Sequence, residues 1–174
     1  MPAYHSAFNA EGQVAACTCA LLPFKGSKSY PAVDGLDGED IIDEVLRIFR
    51  AQVFFRNFEF KGAADRTSCY LVTFVSKCIS ECKRHKTKAE ADKALFQLGN
   101  KDFSIPGDVG FVLGAFVHEP ESKAEADQFK QYFKEARQEV CQRVTAKLYL
   151  EDGTQNKHWF CFEKRKFMNL NNNN

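Results

Sequence analysis

From about residue 40, apolar side chains recur every three or four positions: Ile41, Ile42, Val45, Leu46, Phe49, Val53 and Phe54 make one stripe that runs out near Asn57. That period turns one helix face toward a core. Asp37 is the expected N-cap, with Glu39 and Asp40 in the first turn, where negative charge suits the helix dipole. A second segment, 63–84, sets Leu71, Phe74, Val75, Cys78, Ile79 and Cys82 on one helical face. Its middle, Tyr70 to Val75, would also suit a strand by propensity. Two capping boxes follow, Thr87-Lys88-Ala89-Glu90 and Ser122-Lys123-Ala124-Glu125. In each, hydroxyl and carboxylate satisfy first-turn amides reciprocally. The first box opens a helix to Leu98, with Gly99 as its left-handed cap. The second opens a long helix striped by Phe129, Tyr132, Phe133, Ala136, Val140, Val144 and Leu148, and Asp152-Gly153 ends it. The stretch 157–168 is dense in aromatics, and its period fits either a turn-rich helix or an extended strip.

Residues 1–36 show no sustained period and are broken by Pro2, Gly12, Pro23, Gly26, Pro31 and Gly35. They read as an irregular arm with one apolar anchor, Ala20-Leu21-Leu22-Pro23-Phe24. The expected organisation is all-α: an irregular N-terminal arm (1–36) packed on a single compact domain of about five helices (37–168), then a disordered Asn-rich tail (169–174).

One connector departs from the usual rule that loops are polar. Phe103-Ser-Ile-Pro-Gly-Asp-Val-Gly-Phe-Val-Leu-Gly-Ala-Phe116 has a loop's backbone residues and a core's side chains. Such a segment either tucks under its own helices or docks on another protein. Gly107 and Gly110 are read as permitting the turn that Pro106 initiates.

Composition bounds the function. The 174 residues are 44% hydrophobic with 17 Phe and one Trp, and the formal net charge is +1. No overall field draws such a chain to nucleic acid or to an anionic membrane. The N-terminus lacks signal-peptide character, and Lys77 and Glu81 interrupt the longest apolar run, so a soluble, cytoplasmic protein is expected, without membrane insertion. Seven cysteines at irregular spacing then read as reduced thiols, with Cys69, Cys78 and Cys141 behaving as small hydrophobes.

Candidate chemistry is sparse. Cys78, Cys82 and His85 lie at i, i+4 and i+7 and are the best metal candidate, although core packing of the two thiols and a dipole role for His85 explain them as well. They define the alternative reading, a small zinc- or thiol-dependent enzyme. Cys17 and Cys19 offer a further pair in the irregular arm, where the signal is weak. His158 and Cys161 are a close nucleophile–base pair in sequence, but the surrounding rings favour an aromatic cluster. No phosphate-binding loop is present. The carboxylate pairs Asp40/Glu44 and Glu121/Glu125 read as helix-surface or first-turn groups. Basic runs at Lys83–Lys88 and Lys164–Lys166 are solvated helix ends by default. The second alternates with Trp159, Phe160, Phe162 and Phe167, a mixture that the centres of protein interfaces favour.

Blocks spread along nearly the whole chain resemble subunit 3 of the actin-related protein 2/3 complex, the p21-type subunit of the assembly that nucleates branched actin filaments. They are Met1-Pro2-Ala3-Tyr4-His5-Ser6, Ala20-Leu21-Leu22-Pro23, Val53-Phe54-Phe55-Arg56-Asn57, Ala64-Asp65-Arg66, Leu98-Gly99, Phe103, Ile105-Pro106-Gly107, Gly110-Phe111, Arg137-Gln138-Glu139, Trp159, Cys161-Phe162 and Lys164-Arg165-Lys166-Phe167-Met168-Asn169. The resemblance implies an all-helical fold with one helix enclosed by the others, and no catalysis or cofactor of its own. It implies a hetero-oligomer in which this chain packs on actin-related protein 3 and helps contact the existing filament. The residues expected to meet partners are Phe103, Ile105, Pro106, Phe111, Trp159, Phe162, Lys164, Arg165 and Phe167. Val109 and Val112 stand where the family carries further prolines, and Phe160 where a second Trp is common.

Overall fold

Every residue from Thr67 to Ser76 is buried, a state that a helix reaches only when neighbours cover its whole circumference. The computed structural model describes residues 3–28 and 37–170. The expected arm boundary at residue 36 and the last four residues of the Asn-rich tail lie outside them. Among the described residues there are five α-helices: α1 (Ile41–Gln52), α2 (Ala63–Cys82), α3 (Lys88–Asn100), α4 (Lys123–Leu148) and the single-turn α5 (Lys157–Phe160). Two short strands, β1 (Ala15–Ala16) and β2 (Cys19–Ala20), precede them, and a 3-10 turn at Phe167–Asn169 follows. The fold is thus mainly helical. The enclosed helix is α2, packed against α1, α3, α4 and β2. Leu71, Val72, Val75, Cys78 and Ile79 are completely shielded from solvent at its centre. The strand-like run Tyr70 to Val75 is helical here because its β-branched side chains pack on all sides, and packing overrides propensity.

Helix ends depart from local expectation in instructive ways. The N-cap of α1 is Asp40, not Asp37: its carboxylate accepts from Asp43 N at 2.9 Å, and the Asp43 carboxylate answers from the Asp40 N–H. That helix stops at Gln52, short of Asn57. Thr87 forms the expected reciprocal box on α3. At α4, Ser122 accepts from Glu125 N, but the Glu125 carboxylate turns to two other amides, Glu121 N and Cys17 N, each at 2.7 Å. Gly99 is no cap. It lies inside α3, and a Cβ there would stand 3.3 Å from both Cys141 Sγ and Gln138 Cα of α4. The glycine therefore sets how closely α3 and α4 approach. After Leu148 the chain forms an isolated bridge between Tyr149 and Gln155, and Asp152-Gly153 turns that loop rather than ending the helix. Residues 157–168 resolve into α5, a string of turns and the 3-10 turn.

The arm is less irregular than its sequence suggests. Strands β1 and β2 pair antiparallel, Ala15 opposite Ala20 and Ala16 opposite Cys19. Cys17 and Thr18 at the turn both adopt positive φ, 50° and 66°, the twist that a two-residue hairpin loop demands. Helix carboxylates then pin the arm by its backbone. Glu44 accepts from Ser6 Oγ and Ala7 N, both at 2.7 Å, and Asp65 accepts from Ser6 N at 2.7 Å. Asp65 also meets His5 Nδ1 and Asn9 Nδ2, each at 2.8 Å, and Lys61 N at 2.9 Å. Asp40 and Glu44 are buried; of the helix-surface or first-turn roles expected of them, they take the second, Asp40 as the N-cap of α1 and Glu44 in its first turn. Burial alone would raise the Asp65 carboxyl, but these hydrogen bonds outweigh it and hold the group below the usual carboxylate range.

Candidate interaction surface

The apolar connector turns its rings inward and its backbone outward. Successive turns close through Asp108 N to Ile105 O at 3.0 Å, Phe111 N to Asp108 O at 3.2 Å and Phe116 N to Leu113 O at 2.8 Å. Gly107 and Gly110 supply the left-handed corners, φ 95° and 87°. Phe111, Leu113 and Val117 are buried. Phe111 stacks on Tyr70 at 6.0 Å and meets Phe129 edge-on at the same distance. Phe103 is half-buried, its ring 4.3 Å from the Arg137 guanidinium, which also lies 4.5 Å from the Phe74 ring. Ile105 is half-buried and Pro106 buried. Val109, at the tip, is 99% exposed.

The C-terminal strip divides in the same way. Trp159 is buried and stacks parallel to Phe49 at 5.7 Å. Phe167 is enclosed and meets Phe58 at 5.6 Å. Phe162 is half-buried, edge-on to both Phe49 and Phe54. Lys164 and Arg165 are exposed, and the Arg165 guanidinium sits 5.3 Å over the Phe54 ring. A chain of ring contacts, Phe167–Phe58–Phe60–Phe116, joins the strip to the connector. Of the nine residues expected to meet partners, Pro106, Phe111, Trp159 and Phe167 thus have their apolar surface covered by this chain itself. Burying each large ring is worth roughly 1.5–3 kcal/mol within the chain, so folding alone accounts for their presence.

Beside the strip the Phe54 ring stays bare, 52% exposed, with Phe162 edge-on to it, Arg165 above it and Lys164 next to Arg165 in sequence. Arg50 extends the same face, its guanidinium 5.9 Å from the Trp159 ring. Phe54 was expected to continue the buried stripe of α1; it follows the last helical turn and faces outward instead. The signal available in the sequence was Phe54-Phe55-Arg56-Asn57, an aromatic pair running straight into polar residues past a helix end. A second exposed ring, Phe96 on α3, is 72% accessible and had no sequence signal beyond its place off the buried stripe.

The catalytic candidates do not assemble. Cys78 and Cys82 lie in the core of α2, and Cys78 Sγ faces Cys141 Sγ across 4.0 Å. Burial pushes the Cys82 thiol up to about 12, so it stays protonated. The His85 ring lies 3.6 Å from the Glu81 carboxylate at the helix end. Among the described residues no three His, Cys, Asp or Glu side chains converge as metal ligands. The Cys161 thiol faces the His158 carbonyl oxygen at 3.6 Å rather than the imidazole. All seven cysteines are free. No helix among the described residues is long and apolar enough to cross a membrane.

Residues 1–171 match the family model described as P21-Arc: ARP2/3 complex ARPC3 (21 kDa) subunit. The chain is similar to the actin-related protein 2/3 complex subunit 3 of Arabidopsis thaliana, 40% identical over 169 residues that cover 96% of this chain and 97% of the relative. The subunit 3 of Dictyostelium discoideum is 41% identical over 170 residues, covering 95% and 97%. That of Schizosaccharomyces pombe is 40% identical over 172 residues, covering 97% and 98%. With a mainly helical fold around one enclosed helix, and a match that runs through arm, helices, connector and C-terminal strip alike, the chain belongs to the family of actin-related protein 2/3 complex subunit 3.

Proposed function

We propose that this chain is a non-catalytic structural subunit of the actin-related protein 2/3 complex in the cytoplasmic actin cytoskeleton. In this reading it packs on actin-related protein 3, touches other subunits, and helps the complex contact an existing filament, so that branched filaments nucleate. The observation that carries it is the family match across residues 1–171. The surface supports it physically. An exposed Phe54 ring capped by Arg165, flanked by Phe162, Lys164 and Arg50, combines a desolvatable aromatic anchor with cations on the rim. Such patches concentrate binding energy in a few rings, while the cations steer encounter with acidic surfaces such as actin filaments. Phe103, Ile105 and Phe162 contribute their exposed edges. Pro106, Phe111, Trp159 and Phe167 act from beneath, holding connector and strip in shape.

The test is affinity capture of the tagged full chain from native lysate, with identification of what accompanies it. Recovery of two actin-like proteins in stoichiometric amounts is the expected result. Recovery of the tagged chain without either of them would sink the assignment.

A further inference from the structure

Arg137 on α4 is 3% exposed, and the groups that hold its guanidinium are uncharged: the Leu98 carbonyl oxygen near the end of α3, 3.2 Å from Nη2, and the rings of Phe74 and Phe103. Its Nε has no hydrogen-bond partner among the described residues. Those two rings bring two lysines to the same place. Lys77 stands one turn beyond Phe74 on α2, and positions i and i+3 share a helix face. Lys101, the residue that follows α3, stands two before Phe103. Among the described residues neither lysine, nor Arg137, forms an ion pair: Asp102 gives its carboxylate to Lys130 at 2.8 Å, and Glu81 turns to Arg84 at 3.7 Å and His85 at 3.6 Å. Burial first, and then the like charges of Arg137 and Lys101, push the Lys77 ammonium below the usual lysine range. Glu81 acts the other way, more weakly. Cations gathered without an acid oppose folding, and an acid supplied from outside would remove that opposition.

We propose that Lys77 and Lys101 clamp a carboxylate, the Asp or Glu side chain of a partner protein, while Arg137 adds its charge from beneath. Charge complementarity selects an acid, and the surroundings select a protein as its carrier. Lys101 is exposed and Lys77 half-buried, so the pair opens to the surface beside the half-buried ring of Phe103. A free inorganic anion gains nothing from that ring, whereas a protein surface that delivers a carboxylate also covers apolar area as it docks and shields the new ion pair from water. The inference rests on the reading of this chain as one subunit of a hetero-oligomer. It uses none of Phe54, Phe162 or Arg165, and so describes a second contact.

The tagged full chain is captured from native lysate with its partners and treated with a water-soluble carbodiimide, which joins an amine to a carboxylate only where the two touch. Peptide mass spectrometry is expected to find Lys77 or Lys101 bonded to an Asp or Glu of another chain. Bonds to this chain's own Glu81 or Asp102 alone, or no bond at all, overturn the clamp while the co-purified partners leave the subunit assignment standing; a chain recovered without partners overturns both. Substitutions then separate docking from folding. Lys77→Met keeps an apolar stem and removes the charge, so it is expected to raise the melting temperature of the isolated full chain yet weaken assembly about tenfold, as loss of a hydrogen bond to a charged group should. Lys101→Gln is expected to weaken assembly likewise and leave the melt unchanged. Lys93→Gln, at another exposed position on α3, serves as the control that changes neither. Lys77 and Lys101 variants that assemble as the parent does, or a Lys77→Met chain less stable than the parent, overturn the proposal. Weakened assembly with no bond to a partner's carboxylate assigns the two lysines to a different anion and overturns it as well.

Discussion

Arg143 Nη1 lies 2.8 Å from Asp40 Oδ1 and so ties the C-terminal half of α4 to the cap of α1. The same guanidinium reaches Asp43 at 2.9 Å, Glu139 at 2.6 Å and the Lys25 carbonyl at 2.8 Å. Asp40 in turn accepts from Lys25 N at 2.9 Å. One arginine therefore joins two helices and the end of the arm. Burial alone would raise the Asp40 carboxyl, but Arg143 and the two backbone amides outweigh it and hold it below the usual range. Arg143→Gln leaves a fully buried carboxylate short of its main partner, and an expected loss of about 3 kcal/mol follows from breaking a buried pair. Urea unfolding of parent and variant measures it. An unchanged midpoint would show that the pair contributes no net stability.

Asp65 makes a pH prediction. Its folded carboxyl is depressed, so the stability it adds is fully present above the unfolded value, about 3.9, and is lost as pH falls through the lower folded value. Asp40 acts in the same direction. The melting temperature should hold from neutrality down to about pH 5 and decline only below about pH 4. Asp65→Asn should lower stability by about 2 kcal/mol at neutral pH and flatten the acid decline. It should also expose residues 3–28 to protease, because Ser6, His5 and Asn9 lose their charged anchor. Equal acid sensitivity in parent and variant would remove Asp65 from this account.

Local patterns made the helices legible and left the joints hidden. The stripe Leu71–Val75–Cys78–Cys82 marks α2 because period is a property of neighbouring residues. The choice of Asp40 over Asp37 as cap was visible only as a reciprocal Asp three residues on, at position 43. The burial of Glu44 and the anchoring role of Asp65 had no local signal because their partners in the arm lie 37 to 60 residues away, in a segment with no periodicity of its own. Gly99 looked like a helix stop because no local rule reports the close approach of α4. Trp159 and Phe111 looked like docking rings because their covers, Phe49 and Tyr70, are also remote in sequence. Aromatic residues with cations identify a surface region, but which ring faces solvent depends on tertiary packing.

That division between inner and outer rings is testable in the chain alone. Trp159→Ala and Phe111→Ala remove well-packed rings and should each cost about 3–5 kcal/mol of folding stability. Val109→Ser, at the fully solvated loop tip, should stay within about 0.5 kcal/mol of the parent. Paired denaturation curves decide the matter. Ring deletions that leave the midpoint unmoved would place those rings at an interface after all.

The bare strip calls for the opposite signature. Phe54→Ser removes an exposed ring and should change folding stability by no more than about 0.5 kcal/mol, yet cost about 2 kcal/mol in association if the ring is an interface anchor. Arg165→Glu reverses the charge over that ring. Its effect should be largest on the association rate at low ionic strength and fade as salt shortens the Debye length to about 8 Å at physiological strength. Competition between parent and variant chains for assembly into the complex, followed at two salt concentrations, separates the two contributions. Phe54→Ser should compete poorly at both, whereas Arg165→Glu should compete poorly mainly at the lower. Variants that assemble as well as the parent under both conditions would show that partners meet this chain elsewhere, with Phe96 on α3 the next exposed ring to test.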